Sequence, residues 1–359
     1  LSHLLVNLSF LLSQPTGIST YALNLLDSLH KLQPTLLSPH FWEGFQHYTI
    51  PSNLTPEQGS KGHLQRLIWT QFELPQIYQN LQANLLFSPV PEAPIYTNCR
   101  YIVTVHDLIP LRFPRFSPLT YYSRYYIPTI LNRAECIICN SQATAKDITD
   151  FYHINPHKIA PILLAYDRSH FYPLNLPKNS INRPYFLYLG RQDSYKNIHR
   201  LIAAFATLPN CQDYELWIAG STDKRYTPAL KKQIVELEIV EQVKFLEYVP
   251  YEELPKLINQ ALAFVFPSLW EGFGLPVLEA MGCGTPVITS NISSLPEVAG
   301  DAGILVNPYS VEEIADGMKA VAEDGQLRSH LSQAGIIRAS HFSWSKTGAE
   351  TVEVLKRFL

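Results

Sequence analysis

The run Trp270-Glu-Gly-Phe-Gly-Leu-Pro-Val-Leu-Glu279 brings two carboxylates, two glycines and a proline into one short stretch. Pro276 suits the first turn of a helix, where proline's missing N–H is not needed. Gly272 and Gly274 let the backbone approach a ligand closely, and the N–H groups of Phe273, Gly274 and Leu275 at a helix start favour an anion. A diphosphate suits that place. Glu271 precedes the helix and Glu279 falls about one turn into it, so two carboxylates flank the anion site. An ionised carboxylate only accepts hydrogen bonds, which suits both to sugar hydroxyls rather than to phosphate. The plainer alternative is a glycine turn in which Glu279 offsets the helix dipole.

A second cluster lies in Tyr188-Leu-Gly-Arg-Gln-Asp-Ser-Tyr-Lys-Asn197, where Arg191 leaves a strand and Lys196 sits near the start of a helix. Ligands of open α/β sheets bind at the carboxyl ends of strands, so both cations point to the same crevice as the glycine turn. Fixed cations there stabilise a leaving diphosphate as it gains charge; taken alone, the pair also fits solvated surface. Gly17, in Pro15-Thr-Gly-Ile18, follows the first strand and opens a helix. His106, in Val103-Thr-Val-His-Asp107, ends another strand, as a ligand-facing group or as a hydrogen-bonded structural histidine. No Asp-x-Asp occurs, so a divalent-cation clamp lacks its ligands, and no metal or cofactor is expected. Cys136 and Cys139 form a C-x-x-C inside an apolar run with no partner pair at zinc spacing, and read as packing residues.

Short apolar runs alternating with amphipathic stretches predict parallel sheets covered by helices. In the first half the expected strands are His3–Phe10, Leu85–Phe87, Tyr101–Val105, Cys136–Cys139 and Lys158–Leu163, with helices at Ile18–Leu32, His63–Leu81, Leu119–Asn132 and Ser141–Phe151. Tyr166–Pro184, with its prolines and asparagines, reads as a linker. The rhythm then restarts with strands Tyr185–Leu189, Glu215–Ala219, Val243–Leu246, Ala263–Phe266 and Val287–Thr289, and helices at Asn197–Leu208, Pro228–Leu237, Glu252–Gln260 and Pro276–Cys283. Val311–Glu323, Leu327–Ala339 and Ser345–Leu359 are closing helices, the last with an apolar stripe of Val352, Leu355, Phe358 and Leu359. The fold class is α/β, two Rossmann-like doubly wound domains.

Composition bounds the function. The 359 residues suit two or three domains, and 46% hydrophobic with 16% charged residues describes a packed globular chain. A net charge of -3 excludes a global nucleic-acid footprint. The longest apolar stretches, such as Ala261–Phe266, fall short of the ~20 residues that span a bilayer. Leu1–Leu12, with no basic start and no cleavage site, reads as a buried first strand rather than a signal peptide. Five cysteines, an odd count, predict reduced thiols and a cytoplasmic protein. Leu108–Ala134 carries Arg112, Arg115, Arg124 and Arg133 with no acid, interleaved with Phe113, Phe116, Tyr121, Tyr122, Tyr125 and Tyr126. That strip predicts peripheral contact with anionic headgroups on the inner membrane face, or stacking on an acceptor's sugar rings; the alternative is a half-buried helix with snorkelling arginines.

From Phe266 to Val287 the sequence resembles the E-x7-E signature of glycosyltransferase family 4, often called group 1, with Glu271 and Glu279 as its two acids. Gly17, His106, Gly190-Arg191 with Lys196-Asn197, and Ser294–Gly303 follow in the family's order, so the resemblance covers nearly the whole chain. Many relatives have two adjacent glycines where this chain has Thr16-Gly17. The resemblance implies the GT-B architecture: two facing domains, an acceptor-side one over 1–170 and a nucleotide-sugar-binding one over 184–342, with a helix at 343–359 crossing back to the first. By similarity, Arg191 and Lys196 bind the diphosphate, Glu279 the ribose, and Gly272, Phe273, Gly274 and Leu275 the phosphate and sugar. Glu271 and His106 hold the transferred sugar, Tyr248 and Val249 border the base, and Gly17 and Gly190 line the substrate.

The expected function is a retaining, metal-independent transferase moving a hexose from a nucleotide-diphosphate sugar, UDP-glucose first and GDP-mannose second, to a saccharide or lipid-linked saccharide in polysaccharide biosynthesis. The resemblance implies front-face substitution, with Glu271 as a covalent nucleophile the lesser alternative. Rival functions are nucleotide-sugar epimerisation or hydrolysis on the same fold, and a non-catalytic nucleotide-sugar sensor.

Overall fold

The computed structural model describes residues 2–12, 17–176 and 183–359, with Pro56 described by its backbone alone. The chain forms two compact units, residues 1–164 with 343–359, and residues 165–342.

In the first unit the strands are β1 (Leu4–Asn7), β2 (Thr35–Ser38), β3 (Gln46–Thr49), β4 (Leu85–Ser88), β5 (Tyr101–Val105), β6 (Cys136–Cys139) and β7 (Ile159–Pro161). They make one parallel sheet in the order β3-β2-β1-β4-β5-β6-β7. The second unit holds β8 (Tyr185–Leu189), β9 (Glu215–Ala219), β10 (Val243–Leu246), β11 (Ala263–Phe266), β12 (Val287–Ser290) and β13 (Ile304–Val306), in the order β10-β9-β8-β11-β12-β13, also parallel. The central strands are buried on both faces, as helix-covered parallel strands must be, and this explains their continuous apolar runs. Strand order reverses between β1 and β4 in one sheet and between β8 and β11 in the other. Each reversal opens a crevice at the strands' carboxyl ends.

Several strand and helix expectations change. The first strand stops at Asn7, although Leu8, Phe10 and Leu11 stay buried behind it. β2 and β3 were not expected, since β2 is four residues and β3, Gln-His-Tyr-Thr, is a polar edge. β13, with three residues, and the short helix Leu295–Ala299 were also not expected. His63–Leu81 is two helices, Gly59–Phe72 and Leu74–Asn80, divided just before Pro75. Leu119–Asn132 becomes a turn of helix at Pro118–Tyr121, a π-helical turn at Tyr122–Tyr126 and a helix at Ile127–Arg133. Pro128 has no N–H to give the Arg124 carbonyl, which accounts for the loss of α register there.

The described part of the expected linker is built into the second unit. Tyr166 and Phe171 are buried, and the His170 ring stacks on Tyr251 with centroids 3.9 Å apart. A Cβ on Gly282 would lie 2.3 Å from the Tyr166 ring, so only glycine admits that contact. The Arg168 guanidinium donates to the Phe342 carbonyl at 2.8 Å and also to that of Ser340. Residues 177–182 lie outside the described residues.

The closing helices are Val311–Glu323, Gly325–Ala339 and Trp344–Lys356, capped by Ser310, Asp324 and Ser343. Such caps satisfy N–H groups that the first turn leaves unpaired. The last helix lies in the first unit against Gly17–Leu29: Gly348 approaches so closely that a Cβ would sit 2.1 Å from the Ser28 hydroxyl. Thr347 Oγ1 donates to the Leu163 carbonyl at 2.7 Å. Val352, Val354 and Leu355 are buried on it, whereas Phe358 and Leu359 follow its end and are half-buried.

Candidate active site

The strand-order reversal of the second sheet is flanked by the two segments that carry the acids and cations. β11 leads into residues 267–274, which are held from three sides. Asn197, buried and in a left-handed conformation (φ 63°), donates through Nδ2 to the Pro267 carbonyl at 2.9 Å and the Pro308 carbonyl at 2.6 Å. The Leu269 N–H donates to the Tyr195 carbonyl at 2.8 Å. The Ser290 hydroxyl donates to Ser268 O at 2.6 Å, and the Ser294 hydroxyl lies 3.0 Å from Glu271 O and 2.6 Å from Phe273 O. The Glu271 N–H donates to Ser293 Oγ at 3.2 Å. Gly274 then turns the chain at φ +115°, where a Cβ would come within 2.8 Å of Leu295, and the helix Leu275–Gly282 begins. The Gly274 carbonyl accepts from the Val277 N–H at 3.0 Å, and the helix start carries the positive end of its dipole.

β8 ends at Gly190. Its N–H donates to Ala219 O at 2.9 Å, and Gly220, at φ +128°, passes so near that a Cβ there would meet Gly190 O at 2.2 Å. Lys196 ends the turn Ser194–Lys196 and rests over the rings of Phe266 and Tyr195, 5.1 and 5.3 Å from their centroids. Its Nζ donates to Glu271 Oε1 at 2.6 Å. The residue expected to bind phosphate and the residue expected to bind sugar thus hold each other. Arg191 is 72% exposed, with Nε 3.2 Å from Asp193 Oδ2, and Asp193 is also 3.5 Å from Arg225.

Glu279 lies on the helix Leu275–Gly282. Loss of water, then the nearby Asp167 charge, push its carboxyl from the ordinary 4.5 up to about 7. Burial, then the Glu279 charge, push the Cys283 thiol up to about 12. Tyr248 and Val249 border a cleft of about 520 Å³ shared with Trp217, Leu246, Glu253 and Lys256.

In the first unit, His106 follows β5. Its Nε2 is 2.8 Å from Pro89 O, so Nε2 carries the proton and donates. Burial holds its pKa down at about 4, leaving the ring neutral near pH 7. Tyr21 meets it edge-on at 5.0 Å. Gly17 is the exposed first residue of its helix, and a Cβ there would meet nothing within 4 Å, so space does not demand glycine at that position. Thr16 lies outside the described residues. Ser293, Ser294, Asn197, Gly220, Asp193 and Arg225 act on the two segments without having been singled out as site residues. Only the Ser294–Gly303 and Lys196-Asn197 motifs gave a signal for any of them. Among the described residues, no three His, Cys, Asp or Glu side chains cluster as a metal site needs.

Two Rossmann-like units, one with a glycine turn, a helix start and a lysine–glutamate pair at its strand-order reversal, define the class as a GT-B glycosyltransferase. Family models described as glycosyl transferases group 1 and Glycosyltransferase Family 4 match residues 175–338 and 15–170. The chain is 32% identical over 270 residues to the O-antigen chain mannosyltransferase B of Escherichia coli, covering 72% of this chain and 70% of that one. It is 28% identical over 332 residues to the O-antigen chain mannosyltransferase RfbU of Salmonella typhimurium, covering 89% and 91%. A sucrose-phosphate synthase structure from Thermosynechococcus elongatus superimposes with a TM-score of 0.78 at 19% identity, covering 99% of this chain and 98% of that one. The chain belongs to glycosyltransferase family 4, the group 1 glycosyltransferases.

Glu279 gives a prediction independent of substrate. An acid whose pKa is raised by folding keeps its proton in the fold after the unfolded chain has lost it, so stability falls as pH rises from 4.5 to about 7. Glu279→Gln removes that slope and should gain on the wild type across this window. Urea unfolding of both proteins from about pH 5 to about pH 8 checks it; a constant difference between them would contradict the assignment.

Proposed function

We propose that the protein is a retaining, metal-independent hexosyltransferase that uses a nucleotide-diphosphate donor and a saccharide or lipid-linked saccharide acceptor in polysaccharide biosynthesis. The observation that carries the reading is Lys196 paired with Glu271 beside the glycine turn that starts the helix Leu275–Gly282. Arg191 and Lys196 take the diphosphate, with the N–H groups of Gly272, Phe273, Gly274 and Leu275 on phosphate and sugar. As the diphosphate binds, Lys196 exchanges the Glu271 carboxylate for phosphate oxygens, and Glu271 is released to accept from hydroxyls of the transferred sugar. Glu279 accepts from the ribose hydroxyls, Tyr248 and Val249 border the base, Gly17 and Gly190 give close backbone approach, and His106 contacts the sugar. As the sugar–phosphate bond breaks, charge grows on the leaving group beside Lys196, an interaction stronger in the transition state than in the ground state. The departing phosphate takes the acceptor hydroxyl's proton on the same face, which retains configuration.

Mannose is the favoured sugar. The relatives named as mannosyltransferases match at 28–32% identity over most of the chain, and this supports mannose over the glucose expected from the sequence. GDP-mannose is therefore the first donor and UDP-glucose the second.

The protein is proposed to work on the cytoplasmic face of a membrane, touching it through Leu108–Ala134. The strip divides in two. Arg112 pairs with Asp147, Arg133 donates to Thr97 O, and Tyr122 and Tyr126 turn inward to Glu92 and Gln71. Phe116 (97% exposed), Leu119, Tyr121, Arg124 and Tyr125 remain on the surface. The helix Gly59–Phe72 runs beside them, His63 against Tyr122, and adds exposed Leu64, Ile68 and Phe72. No described helix is long and apolar enough to cross a membrane.

With GDP-mannose, UDP-glucose and an oligosaccharide acceptor, nucleotide release should require acceptor, survive EDTA and give a product of retained anomeric configuration by NMR. Acceptor-independent release would mean a hydrolase, an altered donor an epimerase, and binding without turnover a sensor. Arg124→Glu combined with Phe116→Ser should weaken sedimentation with phosphatidylglycerol vesicles by about 1 kcal/mol for the lost charge, beyond the loss of the ring, and leave donor turnover on a soluble acceptor unchanged. No salt-sensitive vesicle binding by wild type would remove the membrane contact.

A further inference from the structure

Arg66 and Glu92 form a buried fork in the first unit, Nε to Oε2 at 2.6 Å and NH2 to Oε1 at 2.8 Å, with the residues 5% and 3% exposed. A buried ion pair is weak as a source of stability, because desolvating two charges offsets most of their attraction. What the fork does hold is a loop. Glu92 belongs to Pro89-Val-Pro-Glu-Ala-Pro94, which leaves the carboxyl end of β4 with three prolines that have no N–H to anchor it. Side chains fix it instead. Tyr122 donates to Glu92 Oε1 at 3.3 Å, while Gln71 donates to Ala93 O at 3.0 Å and accepts from the Ile95 N–H at 2.8 Å. At the near end of this loop, the Pro89 carbonyl accepts the His106 Nε2–H at 2.8 Å. The other side of the histidine is fixed through its main chain, where Asn140 Nδ2 donates to His106 O at 3.0 Å.

We infer that Glu92, locked by Arg66, is a positioning residue for His106. It fixes the Pro89 carbonyl, which in turn holds the imidazole in its Nε2–H tautomer and sets the direction in which Nδ1 points. A neutral imidazole has one donor and one acceptor nitrogen, and the bond made by one sets the role of the other. This inference deepens the reading of His106 as a sugar-contacting residue and rests on it.

Glu92→Gln alone leaves Arg66 buried without its carboxylate and so tests folding as much as positioning. The double variant Arg66→Met, Glu92→Gln removes both charges and keeps the volume, a replacement that buried pairs often tolerate. Long-range 1H–15N NMR, with the His106 signal assigned by His106→Gln, should show one Nε2–H tautomer in wild type and a tautomer mixture in the double variant. The variant's kcat should fall on the order of tenfold to a hundredfold, as expected when a reacting group is misplaced, with KM for the donor unchanged. A folded double variant that keeps the single Nε2–H tautomer and wild-type kcat would overturn the inference. Separately, wild-type kcat in His106→Ala would overturn the sugar-contact reading while leaving the tautomer result to judge the positioning.

Discussion

The 2.6 Å contact between Lys196 and Glu271 joins the segment after β8 to the segment after β11, across the strand-order reversal of the second sheet. The other bonds around these segments hold those two groups in place. Asn197 ties the turn that presents Lys196 to Pro267, Tyr195 O receives the Leu269 N–H, and the hydroxyls of Ser290 and Ser294 fix the carbonyls that flank Glu271. Charge explains why they are drawn together. Under the proposed function, Lys196, Arg191 and a helix start all attract an anion, and Glu271 balances the Lys196 charge. Under the proposed function, a donor diphosphate competes with Glu271 for Lys196, so part of its binding free energy is spent separating the pair. The freed carboxylate becomes an acceptor for sugar hydroxyls. A bare diphosphate recovers only the first half of this exchange, while a full donor recovers both.

The two units solve the same geometric problem by different means. In the second, glycines allow close approach: Gly220 lets backbone meet backbone at Gly190, and Gly274 fits under the Leu295 side chain. In the first, the loop at the β4 end is proline-rich and is held by side chains from the helix Gly59–Phe72 and the turn Tyr122–Tyr126. The titrating groups differ as well. His106 is held neutral by burial, and Glu279 is raised to about 7 by burial and by Asp167, so one acid in the second unit changes charge within the physiological range.

Much of the second unit was legible because its central strands are uninterrupted apolar runs, such as Tyr185–Leu189 and Ala263–Phe266, and its loops are marked by glycine and proline. The Glu271-to-Glu279 motif was legible for the same reason, since Gly274 and Pro276 mark the helix start on the sequence itself. Short polar edges were not: nothing in Gln46-His-Tyr-Thr49 alternates or is buried enough to announce a strand. Roles created by packing were also hidden. Tyr166 reads as linker until Gly282 is seen beneath it, and Tyr122 and Tyr126 read as surface aromatics until Glu92 and Gln71 are found behind them. Lys196 and Glu271 were each legible as site residues, but their pairing was not, because 75 residues separate them and no periodicity links two loops on different strands.

The most direct test of this account is calorimetric titration of GDP against GMP, and of UDP against UMP, into wild type and Lys196→Ala. If Lys196 is the diphosphate cation, the diphosphate of the recognised base should bind wild type more tightly than its monophosphate. Lys196→Ala should shrink that gap by on the order of 1.5–3 kcal/mol, the worth of a hydrogen bond to a charged group. Equal affinity for mono- and diphosphate in wild type, or a gap that survives Lys196→Ala, would contradict the placement of the leaving group beside the Lys196–Glu271 pair.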